Sequence, residues 1–282
     1  MTFLHLIRFK QWSKNLLIFA APFAAGDILS AEKIRNSGLA FIAFCFVASA
    51  GYIINDLCDV ERDRKNSRKS HRPIAAGLVN SKIAGVISFL CLALGLAVAA
   101  FLPLAFVITI VAYFLITLAY TVHFKNEPVL ELMLVSLGFA LRAIGGANAT
   151  GTPTSQWFLM VATFGPLVIV TSKRISEGVN VQIEDCRPVI KKYSPAFLNF
   201  VLSVAASVTM TSYGLWAFSL SEPYPFAEIS LLPLSVQLFR YVWLAETGAG
   251  EVPEDLIFKD SISVICMFAM AVLILLSVYV KA

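Results

Sequence analysis

Asn55, Asp56, Asp59 and Asp63 stand at the end of an apolar run, in the stretch YIINDLCDVERDRKNSRKSHRPIAAG. Asn55, Asp59 and Asp63 are spaced i, i+4, i+8. On a continuing helix they share one face, with Asp56 beside them, and successive members rise ~6 Å along the axis. Carboxylates that close repel one another unless a cation joins them. Mg²⁺ suits such a set, because it takes oxygen ligands, keeps several waters and shares its other positions with substrate phosphates. Asp56, Asp59 and Asp63 are therefore the expected metal ligands, and together with Asn55 the expected catalytic group. The loop 58–81 carries six Arg and Lys against three Asp and Glu. A metal site beside a basic loop is what a polyphosphate ligand requires. The plain alternative is a solvated helix end, but ionisable groups at a membrane boundary carry a functional expectation.

Other charged positions extend the set. Arg72 precedes Pro73, which restricts the backbone beside it, and its planar fork suits a phosphate. Lys65, Arg68 and Lys69 need no more than membrane topology to explain them. Tyr120 and Lys125 end one apolar segment, and Glu127 and Glu131 begin the next, where acids also complement a helix dipole. Arg142 lies deep in that segment. An intramembrane Arg is costly unless it faces a wet cavity or a partner, so it reads as a cavity residue, with a structural ion pair as the alternative. In SKRISEG, Lys173, Arg174 and Glu177 close another segment, and Lys173 with Glu177 also makes a simple i, i+4 pair. RFKQWSKN is an interfacial anchor around Trp12, or a holder of lipid phosphate through Lys14.

The elements that must position these groups are apolar. Of 282 residues 58% are hydrophobic and 14% charged, and the mean hydropathy is +0.78. A soluble domain sits nearer half apolar and a quarter charged. The excess lies in long blocks, which read as nine helices over 12–29, 38–57, 82–101, 104–121, 129–149, 157–174, 197–220, 226–243 and 262–280. Most are long enough for the ~30 Å hydrocarbon layer. The expected class is all-α: a polytopic membrane protein of about nine transmembrane helices around a cytoplasm-facing cavity, as one domain over 1–282. The first residues do not read as a signal peptide, since no small-residue cleavage site follows a short apolar core. The five cysteines include no CxxC, and the three histidines are scattered. A redox centre, a His-based metal site and a Ser–His–Asp triad are thereby disfavoured.

With the N-terminus cytoplasmic, 18 of the 22 Lys and Arg fall on the cytoplasmic side, as the positive-inside rule asks. Nine helices would leave the C-terminus outside. Connections on the outer side are short and nearly uncharged, whereas 58–81, 175–196 and 244–261 are long and rich in charge, so the chemistry belongs on the cytoplasmic face. Pro253 with Glu254 and Asp255 reads as the start of a short amphipathic helix.

NDLCDVERD resembles the NDxxDxxxD signature of the UbiA superfamily, intramembrane prenyltransferases. A second aspartate-rich DxxxD motif of that superfamily is absent in its usual form, and its place is taken by SKRISEG. That departure, with RFKQWSKN, RPIAAG, KNEPVLELMLVSLGFALRAIGGA and RYVWLAETGAGEVPEDLIFKD, resembles the decaprenyl-phosphate phosphoribosyltransferase branch. The resemblance implies Mg²⁺-dependent transfer of 5-phosphoribose from 5-phosphoribosyl 1-diphosphate to a polyprenyl phosphate, in cell-envelope polysaccharide precursor synthesis. It implies that Arg72, Lys125, Arg142, Lys173 and Arg174 share the 5-phosphate and the lipid phosphate, with Lys14, Tyr120 and Glu177 also on the substrate side. The expected partners are those two substrates and the lipid bilayer, with no nucleic acid, and a homo-oligomer is compatible with the sequence.

Two other readings compete. A UbiA-type prenyltransferase moves a prenyl group from a polyprenyl diphosphate to an aromatic acceptor and uses two acidic motifs for two metal ions; this chain keeps one and places cations at the other. A lipid transporter or scaffold also has many apolar helices, but less reason to array Asn and three Asp beside an Arg-rich loop.

Overall fold

In hydrocarbon every backbone N–H and C=O must be satisfied within the chain, which leaves helices for runs of this kind. The computed structural model describes residues 2–66, 69–180, 188–220, 224–247 and 259–280, and helices are its only regular elements among them. The chain forms two compact units, residues 1–153 and 154–282.

In the first unit, α1 (Thr2–Leu6) leads into a 3₁₀ helix over Phe9–Phe19 and α2 (Ala20–Ala24). Then follow α3 (Ala31–Cys58), α4 (Val60–Lys65), α5 (Ser81–Ala99), α6 (Leu104–Val122) and α7 (Leu130–Thr150). The core lies where α3, α5, α6, α7 and the 3₁₀ helix meet, with Phe44, Val47, Phe106, Ile110, Tyr113 and Ile18 buried together. Phe44 stacks edge-on to Phe106 at 5.8 Å and tilted on Tyr113 at 5.1 Å. A second cluster of Leu6, Ile53, Ile74 and Ala84 ties α1, α3, α5 and the loop after α4 together.

The 3₁₀ helix is unusually long, since runs beyond three or four residues are uncommon. It is seated closely on α7. At Gly146 on α7 an added Cβ would lie 1.8 Å from the Ile18 carbonyl oxygen, so backbone meets backbone there. The Arg142 guanidinium donates from Nε to Asn15 Oδ1 at 2.7 Å, fixing the same segment one turn away.

In the second unit, α8 (Gln156–Asn180) packs on α9 (Pro195–Ser219), and α10 (Phe226–Ile229) and α11 (Leu231–Glu246) pack with α12 (Ser261–Tyr279). Ser194 caps α9 by accepting from the Phe197 N–H at 3.2 Å, with Pro195 in the first turn, the arrangement an N-terminus favours. Tyr213 and Ser230 share a 2.6 Å hydrogen bond, and Ser176 donates to the Ala245 carbonyl at 2.7 Å. Arg240 grips Asp260 with two bonds of 2.6 Å while Asp260 caps α12 through the Ser263 N–H at 2.8 Å. The Arg240 and Ser263 hydrogen bonds hold that carboxyl well below the usual carboxylate range.

Among the described residues seven helices are long and apolar enough to cross a membrane: α3, α5, α6, α7, α8, α9 and α12. The count of nine expected from the sequence is met by this criterion in seven. The other two segments are helical but built differently: 12–29 begins as 3₁₀ and ends by Ala24, and 226–243 divides into α10 and the 16-residue α11. Pro253, Glu254, Asp255, Arg68, Cys186 and Arg187 lie outside the described residues.

Candidate active site at the end of α3

α3 does not continue unbroken through the acidic stretch. It ends at Cys58, Asp59 takes φ −105°, ψ 8°, and α4 restarts at Val60. The i to i−4 hydrogen bonding nevertheless passes through the break, from Asp59 N–H to Asn55 at 3.0 Å and from Asp63 N–H to Asp59 at 2.8 Å. The helical spacing read from the sequence therefore survives in the backbone, while the side chains sort differently. Asp56 and Asp63, seven residues and two turns apart, converge on one nitrogen. Arg72 Nη1 donates to Asp56 Oδ1 at 2.9 Å and to Asp63 Oδ2 at 2.6 Å. Both carboxylates are buried, at 3% and 2% exposure. Asp59 is half-buried and accepts instead from Lys125 Nζ at 2.6 Å. The Asn55 side chain is half-buried at the last turn of α3.

Arg72 reaches the pair because its loop is anchored. Ile74 and Ala75 are buried, the Arg64 Nε donates to the Ala75 carbonyl at 3.3 Å, and Gly77 closes the turn at φ 73°, a backbone state that costs glycine little. Lys125 comes from a short 3₁₀ turn, Phe124–Asn126, directly after α6. Beyond it the Leu130 N–H bonds the Pro128 carbonyl at 2.8 Å with Val129 at φ 69°, ψ −53°. That is a γ-turn of the rare, strained kind, and a β-branched residue there costs ~1–3 kcal/mol. Val129→Gly is expected to raise stability by up to ~1 kcal/mol after the greater freedom of glycine in the unfolded chain is counted, read as a higher thermal midpoint in detergent.

Arg8 is the residue that spacing did not mark. In the sequence it stands among the cytoplasmic basic residues and at the head of RFKQWSKN, with no site role assigned to it. Its Nη2 lies 2.5 Å from Asp56 Oδ1, and its guanidinium sits 5.1 Å from the centre of the Tyr52 ring. A count of charge was the available signal: three buried or half-buried carboxylates call for three cations.

Arg142 is 4% exposed. Its donors go to Asn15 Oδ1 at 2.7 Å, the Gly138 carbonyl at 2.6 Å and Tyr113 Oη at 2.8 Å, and its plane faces the rings of Tyr113 and Phe139 at 4.7 and 5.3 Å. Among the described residues its hydrogen-bond partners are neutral groups and no carboxylate pairs with it, so the ion-pair alternative weighed from the sequence is not met. Lys14 is half-buried with Nζ 6.0 Å from the Phe139 ring, and Tyr120 is half-buried near the end of α6. Glu131 is fully buried. In the second unit Arg174 is buried and binds Glu177 at 2.8 Å, an i, i+3 pair. Lys173 is half-buried on the same helix end.

Among the described residues no three His, Cys, Asp or Glu side chains are gathered as a metal-holding group. The three-carboxylate ligand set expected from the sequence is thus gathered in part: two acids face one point and the third faces Lys125. Two carboxylates are a sufficient protein contribution for Mg²⁺, which takes the rest from water and substrate phosphates. The positive Arg72 nitrogen stands between them where a cation belongs, so the donor set fits.

The sequence signature of the UbiA prenyltransferase family matches residues 16–262. The chain belongs to that family. The UbiA chain is 37% identical to the decaprenyl-phosphate phosphoribosyltransferase of Corynebacterium glutamicum, over 97% of its own length and 86% of the relative's. It is 34% identical to the enzyme of the same name from Mycolicibacterium smegmatis, over 93% and 88%. It shares its fold with a UbiA homologue from Archaeoglobus fulgidus bound to GPP and Mg²⁺, at a TM-score of 0.68 and 19% identity over 100% of both chains. Membership makes this a transferase of a membrane family, and its long apolar helices make it a multi-pass membrane protein.

Proposed function

We propose that this UbiA chain transfers 5-phosphoribose from 5-phosphoribosyl 1-diphosphate to a polyprenyl phosphate and releases diphosphate, at the cytoplasmic side of the inner membrane, for cell-envelope polysaccharide synthesis. The observation that carries this reading is the convergence of buried Asp56 and Asp63 on one Arg72 nitrogen, in a chain similar along 97% of its length to a decaprenyl-phosphate phosphoribosyltransferase. The bias of Lys and Arg toward one face supports the orientation.

Asp56 and Asp63 would hold Mg²⁺, with Asn55 and Asp59 beside them as further oxygen donors. When bound, the ion supplies positive charge to the leaving diphosphate. The C1–O bond to the diphosphate breaks and the diphosphate leaves with the electron pair. An ionised phosphate oxygen of the acceptor forms the new C1–O bond from the opposite face, inverting C1. A phosphate monoester has its second pKa near ~6, so its oxygen is already a nucleophile and no general base is needed. Catalysis then rests on position and on fixed positive charge. Arg72 and Lys125 provide that charge beside the carboxylates; Lys14 and the Lys173–Arg174 pair are the remaining candidates for the 5-phosphate and the lipid phosphate. Arg142, whose donors are already taken by Asn15, Gly138 and Tyr113, holds the segment that carries Lys14.

The competing reaction, prenyl transfer to an aromatic acceptor, draws support from the GPP and Mg²⁺ bound to the Archaeoglobus homologue. Membranes containing the protein should move label from phosphoribosyl diphosphate into the lipid extract when polyprenyl phosphate and Mg²⁺ are supplied. The same transfer in detergent, with no second compartment, would reject a transporter. No transfer, with prenylation of 4-hydroxybenzoate from a prenyl diphosphate, would decide for the alternative.

A further inference from the structure

Asp56 Oδ1 accepts from two guanidinia at once, Arg8 Nη2 at 2.5 Å and Arg72 Nη1 at 2.9 Å. Arg72 also holds Asp63, and Lys125 holds Asp59. Arg8, Arg72 and Lys125 therefore match Asp56, Asp59 and Asp63 charge for charge. A neutral cluster offers little attraction to a bare divalent ion, and the guanidinia lie within a few ångströms of where it would sit, where like charges repel strongly. A diphosphate changes the balance. It carries more negative charge than one divalent ion cancels, and its oxygens accept the same fork-shaped hydrogen bonds that the carboxylates receive.

Arg8 is held to this task by its surroundings. Its backbone is left-handed, at φ 52° and ψ 51°, which a residue with a Cβ adopts only under constraint. The constraint is visible on both sides. Ser49 Oγ donates to the Ile7 carbonyl at 2.8 Å, and Trp12 Nε1 donates to Ser49 Oγ at 3.1 Å. These bonds pin the chain before and after Arg8 to α3 and aim its side chain past Tyr52 at Asp56.

We propose that Arg8 and Arg72 are resident counter-cations of the Asp56–Asp63 pair. They disfavour a divalent cation arriving alone and admit it together with a diphosphate, the guanidinia passing from carboxylate to diphosphate oxygens. Arg8 thereby becomes a diphosphate-binding residue. The proposal rests on the reading of this site as one for a metal and a diphosphate. Its consequence is coupled binding: whatever factor diphosphate adds to metal affinity, the metal adds to diphosphate affinity.

Equilibrium dialysis of the full chain in detergent, with bound Mn²⁺ measured by elemental analysis, tests it. Inorganic diphosphate should tighten Mn²⁺ binding by about tenfold or more, within the range usual for coupled sites. Arg8→Gln and Arg72→Gln should each tighten binding of Mn²⁺ alone and shrink the diphosphate effect to about threefold or less, while Arg8→Lys, which keeps the charge, should retain most of it. The two wild-type affinities decide the matter even if a variant does not survive purification as a single species. Mn²⁺ bound as tightly without diphosphate as with it would overturn the counter-cation proposal and leave the proposed transfer standing. A diphosphate effect untouched by Arg8→Gln would remove Arg8 from it. Mn²⁺ retained under neither condition would overturn both the proposal and the metal site beneath it.

Discussion

Asp56→Asn is expected to lower transfer of labelled phosphoribose by about a hundredfold or more, the scale on which removing one preorganised electrostatic group acts. Asp56 is 3% exposed and is the acceptor common to Arg8 and Arg72. Asn keeps the size and one carbonyl oxygen, so both guanidinia retain an acceptor. It removes the negative charge, leaving the half-buried Arg8 and Arg72 guanidinia against a neutral amide, with only the Arg72 pair to Asp63 intact, and it replaces one of the two carboxylates that would hold the divalent ion. The variant should therefore insert and purify, require more Mg²⁺ for its residual activity, and lose ~1–3 kcal/mol of stability, the cost of a weakened hydrogen bond to charged groups. Asp59→Asn should also impair transfer, with a smaller loss of stability, because the Asp59–Lys125 pair is partly open to solvent, at 16% and 15% exposure. The checks are the ratio kcat/KM against Mg²⁺ concentration and the thermal midpoint, taken on the same preparations. An Asp56→Asn enzyme with unchanged Mg²⁺ dependence would remove Asp56 from the metal site.

Gly146→Ala is expected to be the most destabilising single methyl in the first unit. The added carbon would meet Ile18 O at 1.8 Å, Ile18 C at 2.6 Å and Ile18 Cα at 2.9 Å. These are backbone atoms, so no rotamer change relieves the clash. The 3₁₀ helix must lift from α7, drawing Asn15 from Arg142 and Arg8 from Asp56. Overpacking of this kind costs ~3 kcal/mol or more when the neighbour cannot give. Gly138→Ala provides the contrast on the same helix. Its Cβ would sit 3.7 Å from Arg142 and Tyr113, ordinary contact, and Ala favours a helix over Gly by ~1 kcal/mol. Thermal midpoints and protease sensitivity near residue 20 should separate the two. Equal stability would contradict the close seating of the N-terminal segment.

Hydrophobic runs located the helices well. The segment expected at 104–121 is Leu104–Val122, that at 129–149 is Leu130–Thr150, and that at 262–280 is Ser261–Tyr279. Apolar content alone does not distinguish α from 3₁₀ winding, so the segment expected as a helix over 12–29 gave no sign of the 3₁₀ turns of Phe9–Phe19, whose backbone meets Gly146, over a hundred residues away. Helical spacing grouped Asn55, Asp59 and Asp63 correctly along the backbone. It did not show that Asp56 and Asp63 would pair, because the bend at Asp59 and the loop bearing Arg72 decide that. Arg8 was out of reach for the same reason, being 48 residues from Asp56. The lone Arg142 was legible as a residue in need of partners. That they are the neutral Asn15, Tyr113 and Gly138 depends on packing that no local pattern encodes.

The central claim is that diphosphate leaves from ribose C1 while a lipid phosphate takes its place. Its most direct test is mass analysis of the lipid, with diphosphate measured in parallel, after purified protein is given phosphoribosyl diphosphate, polyprenyl phosphate and Mg²⁺. The expected result is polyprenyl phosphate enlarged by one phosphoribosyl group, one diphosphate released for each, and both reduced by about a hundredfold or more in Asp56→Asn. Unchanged polyprenyl phosphate, from a preparation that instead joins a prenyl chain to an aromatic ring and releases its diphosphate, would contradict it.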